Sequence, residues 1–96
     1  MFVAVNRLQM PAEYGAHLEQ RFAATGGMDG VPGFVSFELL KSLEGTEYLV
    51  VTRWDGRASF DRWRESDAFM KAHSQTNPNS PVRSALGEYD VVLARP

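Results

Sequence analysis

Apolar and polar positions alternate along this 96-residue chain with two distinct periods. Phe2 to Leu8 is rich in Val and Phe and reads as a first strand that stops before Met10-Pro11. From Ala12 to Ala24 the period becomes helical, with Tyr14, Leu18, Phe22 and Thr25 on one stripe. Pro11 suits the opening of that helix, because the N–H it lacks would have no partner there. Gly26-Gly27 ends the helix, and Gly30-Val31-Pro32-Gly33 forms a turn-rich connection. Phe34 to Leu40 and Glu47 to Trp54 read as two strands, joined by Ser42-Leu43-Glu44-Gly45-Thr46, which is short enough for a hairpin loop. Arg57 to His73 reads as a second helix, with Asp55-Gly56 supplying turn and capping chemistry before it. Residues 74–87 contain Asn77-Pro78-Asn79-Ser80-Pro81 and read as a polar, proline-broken loop. Glu88 to Ala94 reads as the last strand.

This order, β-α-β-β-α-β, predicts an α+β fold: a ferredoxin-like sandwich spanning 1–96 as one domain, with both helices on one face of an antiparallel sheet. The strands are apolar on both faces. Leu49 and Val51 alternate with Tyr48, Val50 and Trp54, and Tyr89, Val91 and Leu93 alternate with Val92 and Ala94. The helices cover one face only, and such residues do not favour water on the other. The expectation is a homodimer pairing sheet against sheet, as a dimeric α+β barrel. The chain's size argues the same way, since a domain this small buries only about 60–65% of its unfolded surface.

Composition mainly excludes. The chain has no cysteine, which removes disulfides, thiolate nucleophiles and Cys-ligated metal centres. A net charge of −2 lacks the basic field of an unselective nucleic-acid binder. No apolar run approaches the roughly 20 residues that cross a bilayer, no polybasic cluster suits a membrane surface, and no secretory signal pattern is evident. A cytoplasmic location is expected. Phosphate-binding and dinucleotide-binding glycine motifs are absent, as is an H-x-x-x-H pair.

Three polar or broad residues stand at odd places. Asn6 interrupts the apolar first strand, on one face with Phe2, Ala4 and Leu8. A buried carboxamide without partners costs about 1–3 kcal/mol, so it bonds either backbone or something held beside it. On a continuous helix, Ser59, Trp63, Ser66, Met70 and His73 fall within one stripe about 80° wide, flanked by Phe60 and Phe69. Trp63 and His73 would then stand roughly 15 Å apart along the axis, enough to span a large planar ligand. Each residue has an ordinary structural role as its alternative: core packing for Trp63, a dipole-favoured helix-end cation for His73. Together, a nitrogen ligand, a broad aromatic and a hydrogen-bonding amide suit a flat, metal-bearing cofactor.

Gly30-Val31-Pro32-Gly33-Phe34 and Val51-Thr52-Arg53-Trp54 resemble segments of the antibiotic-biosynthesis-monooxygenase superfamily, small dimeric ferredoxin-like proteins. The run from Trp63 to Ser74 resembles the W-x-x-S-x-A-F-x-x-A-H-S pattern of the IsdG-type haem-degrading monooxygenases, with Asn6 at the matching place on the first strand. That resemblance implies that His73 is the axial iron ligand, that Trp63 distorts the porphyrin, and that Asn6 donates a hydrogen bond on its distal side. The haem is then cofactor and substrate, cleaved with O2 and an external electron donor supplied by a reductase, with release of iron. Arg21 is a candidate for a haem propionate, and Phe22, Phe69 and Met70 for apolar walls. Two other readings use the same fold: a cofactor-free monooxygenase of a phenolic or quinol substrate, and a haem-binding dimer without turnover. The loop at 75–85 does not closely match the family pattern.

Overall fold

The computed structural model describes residues 1–24, 30–66 and 81–96. Four strands form one antiparallel sheet: β1 (Phe2–Gln9), β2 (Phe34–Lys41), β3 (Glu47–Trp54) and β4 (Arg83–Asp90), in the order β2-β3-β1-β4. A 3₁₀ turn (Ala12–Tyr14) leads into helix α1 (Gly15–Ala24), and α2 (Arg57–Arg64) follows β3. This is the ferredoxin-like architecture expected from the alternation of periods.

Register decides which residues share a face. On the helix-facing side, Phe2, Ala4, Asn6 and Leu8 of β1 stand opposite Trp54, Thr52, Val50 and Tyr48 of β3. Two separate clusters cover this side. Phe2, Ala4 and Trp54 pack with Phe60 of α2 at one end, joined by Val31, Phe34 and Trp63. Leu8, Met10 and Tyr48 pack with Leu18 of α1 at the other, joined by Tyr14, Phe22, Leu39, Val50 and Val82. The predicted α1 stripe holds where it is described: Leu18 is buried, Tyr14 and Phe22 half-buried.

Four sequence expectations need correction. The last strand lies at Arg83–Asp90, not Glu88–Ala94. Pairing with β1 sets its range, from Gln9↔Arg83 to Phe2↔Asp90. The Val91 N–H still donates to the Met1 carbonyl at 3.0 Å, but β1 ends there. Residues 91–94 therefore overhang the sheet, with Val92 94% and Leu93 68% exposed. Apolar content misplaced the strand; hydrogen-bonding partners fix it.

The second helix does not run unbroken from Arg57 to His73. It closes at Arg64, where both the amide and the hydroxyl of Ser66 take the Trp63 carbonyl, at 3.0 and 2.5 Å. A short polar side chain that competes for a backbone acceptor ends a helix in this way. Of the predicted stripe, Ser59 and Trp63 lie on α2 and Ser66 lies beyond its end; Met70 and His73 lie outside the described residues.

Asp55 does not cap α2 through its side chain. Its carboxylate instead accepts the Ser59 hydroxyl at 2.6 Å, and its N–H donates to the Gly33 carbonyl at 2.8 Å. Pro11 precedes the first helical turn as its cap rather than opening it, with extended ψ of 145°.

The seat of α1 is set by a close approach. Tyr48, fully buried on β3, donates its hydroxyl to Glu19 of α1 at 2.5 Å. Its ring reaches the helix only because Gly15 has no side chain: a Cβ there would lie 2.8 Å from the Tyr48 oxygen. Burial, reinforced by the Glu19 hydrogen bond and charge, pushes the phenol up to about 12.

A glycine-to-alanine change inside a helix ordinarily stabilises by about 1 kcal/mol. Here Gly15→Ala is expected to destabilise by about 1–3 kcal/mol through overpacking, and to become neutral or stabilising in a Tyr48→Phe background. Urea unfolding of the two single variants and the double variant measures this. The folded state holds the Tyr48 phenol neutral beyond its ordinary value of 10.0, so its contribution is complete below about pH 10 and is lost as pH rises through about 12. Unfolding titrations should show a fall in stability across that interval that is smaller in Tyr48→Phe.

Candidate functional site

The gap between the two clusters defines the site. A straight row crosses the helix-facing side of the sheet at this point: Leu86 of β4, Asn6 of β1, Val50 of β3 and Leu39 of β2. Three interstrand spacings make it about 14 Å long. Val50 and Leu39 lie under the α1 cluster, whereas Asn6 and Leu86 belong to neither cluster. The floor is thus apolar apart from one carboxamide. Asn6 is half-buried, and among the described residues no side-chain hydrogen bond engages its carboxamide.

Trp63 sits half-buried on α2, against the cluster at the Phe2 end of the sheet. Its ring packs on Trp54 with centroids 5.5 Å apart and on Phe60 at 6.3 Å. Trp54 is wholly buried and fixed in turn, its indole N–H donating to the Thr52 hydroxyl at 3.0 Å. Ala4 belongs to that cluster and lies on the same strand face as Asn6, two residues or about 7 Å away. Asn6 thus lies one strand repeat beyond the cluster that holds Trp63.

The turn before β2 holds α2 in place. Gly33 adopts a left-handed φ of +81°, and a Cβ there would lie 2.1 Å from the Ser59 hydroxyl oxygen. Only glycine combines that backbone with that contact. Arg62 donates to the same Ser59 oxygen at 3.1 Å. A hollow of about 410 Å³ lies between the 30–32 turn and Ser59, Arg62, Trp63 and Ser66. Trp63 lines it and Asn6 does not, so it is not the cleft in which the sequence joined these two residues. At the other side of α2, Arg57 and Arg64 approach Glu88 of β4 at 3.7 and 3.9 Å. Such exposed pairs each contribute at most about 1 kcal/mol, but they mark where α2 crosses β4.

The remaining sequence candidates divide. Phe22 packs toward Phe37 with centroids 6.0 Å apart and belongs to the α1 cluster, so its described role is core. Arg21 is exposed on α1. His73, Phe69 and Met70 lie outside the described residues. Leu86 and the apolar row escaped the sequence reading because the last strand was set too late. The available signal was the alternation of Ser84, Leu86 and Glu88 against Ala85, Gly87 and Tyr89. Among the described residues, no cluster of His, Asp or Glu is arranged to hold a metal ion, and no helix is long and apolar enough to cross a membrane.

The model of the family described as antibiotic biosynthesis monooxygenase matches residues 1–75. The chain belongs to that family. A curated relative from Mycobacterium tuberculosis, named "Heme oxygenase (mycobilin-producing)", is 38% identical over 95 residues, covering 95% of this chain and 89% of the relative. A "Heme-degrading monooxygenase" from Shouchella clausii is 32% identical over 100 residues, covering 99% and 94%. Among solved structures, the heme degrader MhuD of M. tuberculosis, with two hemes bound in its active site, superposes with a TM-score of 0.82 at 33% identity over the whole of both chains. SnoaB, a cofactor-independent oxygenase of Streptomyces nogalater, shares the fold at 20% identity and a TM-score of 0.73, over 99% and 96% of the two chains.

Proposed function

We propose that this chain is a haem-degrading monooxygenase that takes haem as both cofactor and substrate. The observation that carries the reading is the uncovered part of the strip across the sheet: exposed Leu86 beside half-buried Asn6, whose carboxamide has no partner among the described residues. A flat apolar macrocycle with one hydrogen-bond acceptor near its centre fits that strip. Relatives named for haem degradation, alike over nearly the full chain, support the same ligand.

Bound haem supplies an iron that activates O2 with electrons from an external donor. The protein's part is binding, orientation and exclusion of water. His73 holds the iron through a neutral imidazole nitrogen. The Asn6 NH2 would donate a hydrogen bond to the bound group. It provides direction without acidity, because a carboxamide gives a hydrogen bond and keeps its proton. Trp63, backed by Trp54 and Phe60, would give a bound ring a firm aromatic wall. Arg21 offers a cation to a propionate from α1.

A second copy of the chain covers the open face in this proposal. Leu40, Tyr89 and the overhanging Val92 and Leu93 are exposed in one chain, and few polar groups interrupt them. The Arg7–Glu47 and Arg53–Glu38 ion pairs lie on that face and neutralise one another within the chain. A reductase partner and a cytoplasmic location complete the proposal.

Haemin titration followed by ascorbate under air tests it. The expected result is saturable Soret binding, then bleaching with release of iron. Asn6→Ala should bind haemin but bleach it about 10–100-fold more slowly, as loss of one charge-assisted hydrogen bond implies. His73→Ala should lose bleaching and alter the Soret band. No binding would favour the cofactor-free reading, and stable binding without bleaching would favour a haem-binding dimer without turnover. Normal bleaching by His73→Ala would refute the ligand assignment.

A further inference from the structure

Among the described strands, Leu86 and Phe37 are the large apolar side chains left exposed on the helix-facing side, and Phe37 has the Phe22 ring of α1 against it. Four residues of one parity mark the course of the Leu86 segment beneath the helices: Val82, Ser84, Leu86 and Glu88. Val82 packs against the α1 cluster, and Glu88 meets Arg57 and Arg64 of α2. Leu86 lies between these two contacts and joins neither cluster, remaining 45% exposed. The other aliphatic β1 side chains on this face, Ala4 and Leu8, are buried. A large aliphatic side chain left open on the covered side of a small domain indicates a missing occupant.

Its neighbour identifies the occupant. Leu86 pairs directly with Asn6 across β1 and β4, on the same face. Directly opposed residues on one face have Cβ atoms about 4.5–5.5 Å apart. A planar ligand that meets the Asn6 carboxamide must therefore extend over Leu86 on one side or over Val50 on the other. The Val50 side is already packed against the α1 cluster, and the Leu86 side is open. The open face of the sheet, where a second copy fits, is on the opposite side from Leu86.

We infer that Leu86 is a ligand-binding residue: the apolar shelf at the β4 side of Asn6 on which the edge of a porphyrin macrocycle rests. The inference rests on the haem reading above and adds which part of the sheet the ring covers. The ligand chemistry is an apolar ring edge carrying methyl or vinyl groups. Leu86 offers a propionate no hydrogen-bond donor, and Arg57 and Arg64 nearby are already engaged with Glu88.

The test is titration of the full chain with gallium(III) protoporphyrin IX, a redox-inert probe, with haemin in parallel. Leu86→Ser should raise Kd about five- to tenfold for both, the loss expected when a half-exposed leucine no longer becomes buried on binding. Leu86→Met should stay within about twofold of wild type, because it conserves volume and apolar character. Leu43→Ser, at a fully exposed position on the hairpin loop, should leave Kd unchanged. Circular dichroism melting confirms that each variant is folded. A wild-type Kd for folded Leu86→Ser overturns the shelf while leaving the haem reading intact. An unchanged Kd with a changed sedimentation mass overturns it too and makes Leu86 a subunit contact. Absence of saturable binding by the wild type overturns both readings.

Discussion

Two separate apolar clusters, rather than one continuous core, cover the helix-facing side of the sheet, and the strip between them governs the rest of the structure. The described residues hold two short α-helices with which to cover four strands. Helix α1 seals one end through Leu18 against Leu8 and Tyr48. Helix α2 seals the other through Phe60 against Phe2 and Trp54. The middle row receives neither helix at Asn6 and Leu86.

Each seal has a specific device. The α1 end depends on Gly15 admitting the Tyr48 ring and on Glu19 receiving its hydroxyl. The α2 end depends on Gly33 bringing the pre-strand turn against Ser59 and Asp55. Both devices are glycines that allow backbone to approach a side chain more closely than any larger residue permits. Their common effect is to seat each helix closely against its own end of the sheet. Trp63 packs on Trp54, whose indole is both buried and hydrogen-bonded. The rigid wall is therefore built from the strand upward.

Much of the architecture was legible because alternation and helical period report burial directly. β1, β2, β3 and the α1 stripe follow from Val, Phe and Leu spacing alone. The errors arose where hydrogen bonding rather than hydrophobicity decides. The apolar run from Tyr89 to Leu93 imitates a strand, but β1 has no residues left to pair with it beyond Met1. The Arg57–His73 helix looked continuous because its periodicity persists, yet Ser66 competes for the Trp63 carbonyl and ends it. Asn6 was legible as a misfit in an apolar strand. Leu86 was not, since a leucine becomes informative only when its surroundings show that nothing covers it. The family was legible from motif spacing, and the match over residues 1–75 agrees with it. His73, the proposed iron ligand, lies outside the described residues, so its role rests on the resemblance.

The central claim is that a planar ligand lies on the helix-facing side of the sheet, over Asn6. Gallium protoporphyrin is diamagnetic, and protons held over its ring move strongly upfield. Two-dimensional nitrogen–proton and methyl spectra of the isotopically labelled chain, with and without the porphyrin, therefore test the claim most directly. The side-chain NH2 of Asn6 should shift upfield on saturation, while the methyl groups of Val3 and Val5 on the opposite face stay in place. Shifts of Val3 and Val5 with an unmoved Asn6 carboxamide would put the ligand on the wrong side of the sheet and contradict the account.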